Sequence, residues 1–351
     1  MSGQERWAAT IVESSMPMLE AIRALDAAAL QILLVVDGDG RLVGTVTDGD
    51  IRRAMLAQKG FDTAIEEIAN LTPRTAPVGT PPAQARRLMR GASLRHLPLL
   101  DEAGRPVGLE RLEGDETPNR GNEVVIMAGG LGSRLRPLTE TTPKPLLSVG
   151  GRPLLETIIE AFIEHGFRRF RIALNYRADQ VETHFRDGRR LGASIEYLRE
   201  ESFLGTAGAL GLLPAPPTEP VVVMNGDILT KVDFSQLLEF HERTGAEMTM
   251  CVRDYEIEVP YGVVEVEGDV VTSLVEKPTT RHFINAGIYV LAPELVASVP
   301  RDARTDMTDL AASVLERNAK VCAFPIREYW LDIGHLEDLE RARAEFAHYF
   351  G

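Results

Sequence analysis

The stretch Val124 to Leu147, VVIMAGGLGSRLRPLTETTPKPLL, constrains this chain more than any other. An apolar run that breaks at once into Gly129, Gly130 and Gly132 is a buried strand feeding a tight turn. A turn without Cβ atoms leaves several backbone N–H groups open to an anion. Arg134 and Arg136 follow in the loop, and Lys144 lies between Pro143 and Pro145, which restrict its backbone. A guanidinium fork can grip a terminal phosphate, and a fixed ammonium can neutralise another. Two absences weaken the ATPase and dehydrogenase readings. No Gly-Lys-Ser/Thr follows at P-loop spacing, and Leu135 stands where a dinucleotide fingerprint has its third glycine. The alternative is an ordinary strand-to-helix turn beside a solvated basic face.

A length of 351 residues implies two or three domains. With 44% hydrophobic and 26% charged residues the composition is that of a globular protein. No run reaches membrane-spanning length, and Met1 to Thr10 has no continuous apolar stretch, so the expected compartment is the cytoplasm. The two cysteines, Cys251 and Cys322, sit in apolar strand-like runs and read as small buried hydrophobes. A net charge of −14 argues against nucleic acid as partner. A small phosphorylated substrate remains compatible if cations are concentrated locally, as they are after Val124.

The first 115 residues contain a repeat. ALQILLVVD, a Gly-Asp-Gly turn and LVGTVT predict two strands, with DIRRAMLAQ as the next helix. PPAQARRLMRGASLRHLPLLDEAGRPVGLERL repeats helix, strand, turn, strand about sixty residues later. Glu113 to Asn122 is polar and reads as a linker, its last part, 116–122, separating a first module, 1–115, from a second domain, 123–351. From there strand and helix periodicities alternate, which predicts an α/β domain with a mixed, mostly parallel sheet. EVVIMAGG, FRIALN, SIEYLR, PVVVMNGD and EMTMCVR are its strands. One helix buries Leu154, Leu155, Ile158, Ile159, Phe162 and Ile163 and has Pro153 in its first turn. Another runs from Asp233 to Glu242 with capping-box spacing, and a charged helix starts at His335.

GGLGSRLRPLTETTPKPLL resembles the signature of the sugar-nucleotidyltransferases, the nucleoside-diphosphate-sugar pyrophosphorylases. LGTAGAL at Leu204 to Leu210, NGDIL at Asn225 to Leu229, PYGVV at Pro260 to Val264, EKP at Glu276 to Pro278, NAGIYVL at Asn285 to Leu291 and WLDIG at Trp330 to Gly334 follow in that family's order. The resemblance implies a Rossmann-like, GT-A-like fold and attack by a sugar 1-phosphate on the α-phosphorus of a nucleoside triphosphate. It implies that Ala128, Gly129, Gly130, Gly132 and Ser133 cradle the nucleotide, that Arg134 holds the pyrophosphate end, and that Lys144 neutralises the α-phosphate. Asp227 and Asp332 would bind Mg2+, Lys277 would meet the sugar phosphate, and Gly262, Glu276 and Asn285 would bind sugar hydroxyls. In all these positions ordinary structural uses stay open, since an Asp at a strand end often caps a helix and Glu276 with Lys277 could be a surface ion pair.

Gly205, Thr206 and Gly208 would let the backbone approach the base, with Glu200 and Glu201 just before them. Guanine offers adjacent N1–H and N2–H donors to one carboxylate and adenine does not, which leans towards GTP unless both glutamates are simply solvated. GTVTDGDIRR resembles the nucleotide-binding edge of a CBS domain, and the repeat then implies a tandem pair. Thr47 and Asp50 would contact the ribose of a regulatory purine nucleotide. In the second repeat Arg111 and Gly114 replace them. Asp50 is equally a good N-cap for the following helix. The combination looks like the glucosamine-1-phosphate guanylyltransferases of bacterial nonulosonic (legionaminic) acid pathways, with mannose-1-phosphate guanylyltransferases second. A homo-oligomer is expected, and the other class of reading is a silent, sugar-nucleotide-sensing regulator.

Overall fold

The computed structural model describes residues 7–28, 30–92, 94–111, 119–301 and 303–350. The chain divides into two units, Met1–Glu116 and Thr117–Gly351.

In the first unit the repeat holds for the strand–helix–strand–strand part of each half. β1 (Ile11–Glu13) pairs in parallel with β2 (Ile32–Val36), which pairs antiparallel with β3 (Leu42–Thr47). α1 (Met18–Ala28) precedes β2, and α2 (Asp48–Leu56) follows β3. β4 (Ala76–Pro77), α3 (Pro82–Gly91), β5 (His96–Leu100) and β6 (Pro106–Arg111) repeat the pattern. The two turns match atom for atom: Asp37 Oδ1 accepts the N–H groups of Asp39 and Arg41, as Asp101 Oδ1 accepts those of Ala103 and Arg105. Leu30, Ile32 and Leu34 pack with the partly buried Leu109, so the repeats share a seam of core. α2 starts two residues earlier than its expected Asp50, which corrects the reading of Asp50 as N-cap. Thr47 is the N-cap, and Asp50 stands three residues on as its capping-box partner. Gly114, with most of the expected linker, lies outside the described residues.

The second unit opens with β7 (Arg120–Met127), so Arg120, Gly121 and Asn122 belong to a strand and not to the linker. Their polar, glycine-containing composition hides this, because the apolar run begins only at Val124, and the one buried polar residue before it, Asn122, is satisfied by the Pro220 carbonyl. A small turn, β8 (Ser148–Val149) with β9 (Arg152–Pro153), leads into α4 (Leu154–Glu164). Pro153 is the residue before that helix and not in its first turn. β10 (Phe167–Leu174), α5 (Ala178–Phe185), β11 (Ser194–Arg199), β12 (Val221–Asn225), β13 (Ile228–Thr230) and α6 (Phe234–Thr244) follow. Then come β14 (Met248–Glu258), β15 (Val263–Glu267), β16 (Val270–Val275), β17 (Thr279–Leu291), α7 (Pro293–Ala297), α8 (Met307–Glu316), β18 (Val321–Ile326), β19 (Trp330–Asp332) and α9 (Leu336–Phe350).

The main sheet has the order β11, β10, β7, β12, β17, β14, β18. Every neighbour pair is parallel except those made by β17, which runs against β12 and β14. Strand alternation divides the interior into two cores. Val124, Ile126, Val222 and Met224 point to one, with Phe162 of α4 stacked on Phe234 of α6 at 3.8 Å. Val125, Ala173 and Val223 point to the other, against Leu310 and Val314 of α8. With both faces covered, the central strands read as continuous apolar runs. The outer halves of β14 and β17 leave this body and carry the β15–β16 hairpin, a two-stranded arm the sequence reading did not anticipate. Cys251 is buried in β14 and Cys322 half-buried in β18, with no disulfide between them. Among the described residues no helix is long and apolar enough to cross a membrane.

Candidate active site

The carboxyl ends of β7 and β12 lie side by side, Met127 opposite Asn225. A cleft of about 390 Å³ opens where the chain leaves both strands, the usual ligand position in an open α/β sheet. Its floor is backbone. Ala128, Gly129, Gly130, Gly132 and Ser133 line it together with Leu131. Gly132 has φ +61°, and an added Cβ would come within 2.9 Å of Thr139. Gly226 donates its N–H to the Met127 carbonyl at 2.8 Å, an approach that a Cβ would block at 2.9 Å.

The charged end is assembled from three segments distant in sequence, the Arg134–Lys144 loop, Asp227 and Asp332–Gly334. Lys144 Nζ bonds Asp227 Oδ2 at 2.7 Å. The short ladder of β13 and β19 sets Ile228 opposite Asp332, and Ile333 donates its N–H to the Asp227 carbonyl at 2.9 Å. Both aspartates therefore come to one strand end, and both line the cleft. Asp332 stays open to the cleft, yet partial desolvation by its surroundings raises its carboxyl above the ordinary range, the Asp227 charge raises it further, and Lys144 and Arg134 oppose the rise. Arg134 lies against Gly334, where an added Cβ would come 3.3 Å from Nη1. Asp227 and Asp332 are the pair that could hold a divalent cation.

At the other end, Glu200 is buried and lines the cleft, its Oε2 accepting the Leu204 N–H at 3.3 Å. Burial raises its carboxyl, and the Leu204 N–H partly offsets this. The solvated reading thus fails for Glu200. It holds for Glu201, which is exposed and not part of the cleft wall. Gly205 and Thr206 also line the wall. The amide of Thr206 is already given to Asp306 Oδ1 at 3.1 Å, and its hydroxyl accepts the Met307 N–H at 2.8 Å, so Thr206 shapes the loop more than it offers bonds.

The expected sugar residues are not brought to this cleft. Gly262, Glu276 and Lys277 are exposed on the β15–β16 arm, Lys277 with φ +46° and its N–H on the Tyr261 carbonyl at 3.3 Å. Gly262 and Glu276 do adjoin, since a Cβ on Gly262 would meet Glu276 Oε2 at 3.0 Å. Asn285 is exposed with its carboxamide committed, Nδ2 to the Tyr289 hydroxyl at 2.6 Å and Oδ1 to the Gly287 N–H at 3.0 Å. Among the cleft residues to which the sequence assigns no role are Phe203, Asn225 and Gly334. In the first unit Asp50 Oδ2 accepts both the N–H of Thr47 at 2.8 Å and its hydroxyl at 2.6 Å, while Arg53 bonds Oδ1 at 2.5 Å.

A mostly parallel sheet with a glycine-lined cleft at its strand ends, flanked by cations and paired carboxylates, defines an α/β domain of the nucleotidyl-transfer type. The chain belongs to the nucleotidyl transferase family, whose model matches residues 123–348, and the CBS domain model matches 9–57 and 65–109. The chain is similar to the mannose-1-phosphate guanylyltransferase catalytic subunit beta of Drosophila pseudoobscura pseudoobscura, 34% identical over 230 residues, 63% of this chain and 62% of that one. It is 32% identical over 231 residues to the mannose-1-phosphate guanylyltransferase of Mycobacterium tuberculosis, 64% of each chain. The matches thus cover less than two thirds of these relatives' own length. The structure of HddC from Yersinia pseudotuberculosis, also solved with GMP-PN, has a TM-score of 0.50 and 27% identity and covers 64% of this chain and 99% of that one.

Proposed function

We propose that this chain is a sugar-1-phosphate guanylyltransferase, joining GTP and a hexose 1-phosphate into a nucleoside-diphosphate sugar and releasing pyrophosphate. The observation that carries the reading is the convergence of Lys144, Asp227, Asp332 and Arg134 on one end of a glycine-lined cleft. A silent sensor has no need to keep all four.

Each group has a task in an in-line displacement at the α-phosphorus, where positioning and charge neutralisation do most of the work. The backbone N–H groups of the glycine loop hold the phosphates, and Arg134 grips the leaving pyrophosphate. Lys144 leaves Asp227 to meet the α-phosphate oxygens as negative charge builds on them. Asp227 and Asp332 supply only hard oxygen donors and both line the same end of the cleft, a set that suits Mg2+. When bound there, the ion would neutralise phosphate charge. Glu200 accepts N1–H and N2–H of guanine. The arm bearing Gly262, Glu276 and Lys277 brings the sugar phosphate, which requires it to approach the cleft.

Mannose 1-phosphate is the first sugar to test, because the guanylyltransferases that this chain resembles are named for it. Glucosamine 1-phosphate is the second, favoured by the CBS pair ahead of the domain. The experiment is pyrophosphate release across a grid of GTP, ATP, UTP, CTP and dTTP against hexose 1-phosphates, with and without Mg2+. Release with GTP and one hexose 1-phosphate is expected. A clear preference for a pyrimidine nucleotide refutes the base assignment, and silence across the grid refutes the enzyme.

A further inference from the structure

Two apolar side chains stand open in the wall of the cleft, Phe203 at 51% exposure and Leu131 at 58%. A single exposed phenylalanine needs no explanation. Phe203, however, is held in place from behind. The Arg304 guanidinium lies over its ring, 5.7 Å from the centroid. Arg304 Nη2 reaches Asp306 Oδ2 at 3.5 Å, and Asp306 Oδ1 accepts the Thr206 N–H at 3.1 Å. The Thr305 carbonyl between them accepts the N–H groups of Ala207 at 2.9 Å and Gly208 at 3.1 Å, and Thr305 gives its own N–H to Leu204. Ring, guanidinium, carboxylate and glycine turn form one connected unit, so the aromatic face keeps a fixed relation to the Gly205 backbone. The same short loop carries Glu200, whose carboxyl is tied to the Leu204 N–H.

We propose that Phe203 is the platform on which the nucleobase stacks, with Arg304 and Asp306 as positioning residues that hold it. This rests on the reading of the cleft as a triphosphate site. Selection of the base then has two independent parts. The ring gains more contact from a purine than from a pyrimidine, whichever purine it is, and Glu200 then separates guanine from adenine by its edge.

The test is steady-state pyrophosphate release by the full chain with GTP, ATP and UTP. Phe203→Ala should raise the KM for GTP by roughly five- to a hundred-fold, the range measured for removing one aromatic–base stack. The kcat and the KM for the sugar phosphate should stay within about two-fold, because stacking is made equally in ground and transition states. The GTP-over-UTP preference should fall, and the GTP-over-ATP preference should not. Phe203→Trp should restore the KM, and its indole emission, read against that of Trp7 and Trp330 in the wild type, should be quenched by GTP. Arg304→Ala should act in the same direction more weakly, with partial recovery in Arg304→Lys. An active Phe203→Ala enzyme with unchanged KM for GTP and unchanged GTP-over-UTP preference overturns the proposal. If the wild type releases no pyrophosphate at all, the guanylyltransferase reading has failed, and quenching of Phe203→Trp by GTP, or its absence, still decides the platform.

Discussion

Gly205 and Gly130 both line the cleft, but the structure has no room for a side chain at Gly205 and open space for one at Gly130. Gly205 has φ +83°, and a Cβ there would lie 2.6 Å from the Thr305 carbonyl and 2.7 Å from Asp306 Oδ1. An L-residue held in the left-handed region costs about 1–2 kcal/mol. The overlap with a backbone oxygen cannot be relieved by a rotamer change, so the loop must lift off Thr305 and Asp306, weakening the bonds of Leu204 and Ala207 to Thr305 and of Thr206 to Asp306. Losing about one or two of them costs ~1 kcal/mol each. Gly205→Ala should therefore destabilise the second unit by ~2–4 kcal/mol, and at ~2–4 °C per kcal/mol its transition falls by roughly 4–16 °C. Gly130 has nothing within 4 Å of a Cβ and no positive φ. Gly130→Ala should leave the transition within about 0.5 kcal/mol of the wild type while raising the KM for the triphosphate, because the methyl enters the phosphate cradle. Differential scanning calorimetry on the full chain separates the unit transitions, and kinetics supplies the KM. If Gly205→Ala melts within about 2 °C of the wild type, the clash reasoning fails, and if Gly130→Ala is the destabilised one, the assignment of the cradle to ligand fails too.

Lys144→Ala should lower kcat by ~10²–10³, the loss typical of one preorganised charge-stabilising group, and an effect confined to KM would make Lys144 a ground-state binder instead. In Asp332 the folded pKa is raised, so the native state holds its proton to higher pH than the unfolded chain, and ionising it above the unfolded range costs stability. Metal-free Asp332→Asn should hence melt above the wild type at pH 7, the gap closing as pH falls towards the unfolded carboxyl's ordinary range, while turnover is lost; a lower melting point at pH 7 would show a structural role that the charge account omits. Glu200→Gln should narrow the preference for GTP over ATP, and unchanged discrimination would remove the carboxylate from base reading. Asp50→Ala removes the capping partner of Thr47 and should cost the first unit ~1 kcal/mol in the same calorimetric traces, with catalysis unaffected.

The sequence made one kind of information readable, the kind written in consecutive residues. VVIMAGG encodes both the buried strand and the bare turn, and PVVVMNGD does the same for the neighbouring strand, so the glycine loop and the strand-end position of Asp227 are legible in consecutive residues. Contacts that join distant segments left no local trace. Phe203 reads as an arbitrary exposed aromatic until Arg304 is known to lie over it, a relation spanning about a hundred residues of chain. The commitment of Thr206 to Asp306 is hidden in the same way, and it turns an expected nucleotide contact into a loop anchor. The arm failed to appear because β15 and β16 are exposed on nearly every residue, and the alternation of buried and open positions that marks a strand is missing. Gly262 adjoins Glu276 on the arm, but that they, Lys277 and Asn285 lie outside the cleft wall depends on how the outer parts of β14 and β17 are directed, which no motif records.

The first unit shows how one pair of residues can satisfy two readings at once. Asp50 was weighed either as a ribose contact or as a helix cap, and the structure makes it half of a cap whose other half is Thr47, the second residue of the same resemblance. One oxygen of Asp50 takes both polar hydrogens of Thr47, and the other faces Arg53. A ribose hydroxyl can still donate to a free lone pair of that carboxylate, but one that accepts from the Thr47 hydroxyl must take it away from Asp50. Occupancy of the site and stability of the first turn of α2 therefore draw on the same atoms. A ligand that binds there loosens the cap it displaces unless its own oxygens take over the exposed helix N–H groups, so any response of this unit to a nucleotide begins at the start of α2, and a variant that removes Asp50 changes both terms together. Thr47→Ser, which keeps the hydroxyl and the cap, should leave both terms in place, whereas Thr47→Val removes the hydroxyl from both at once.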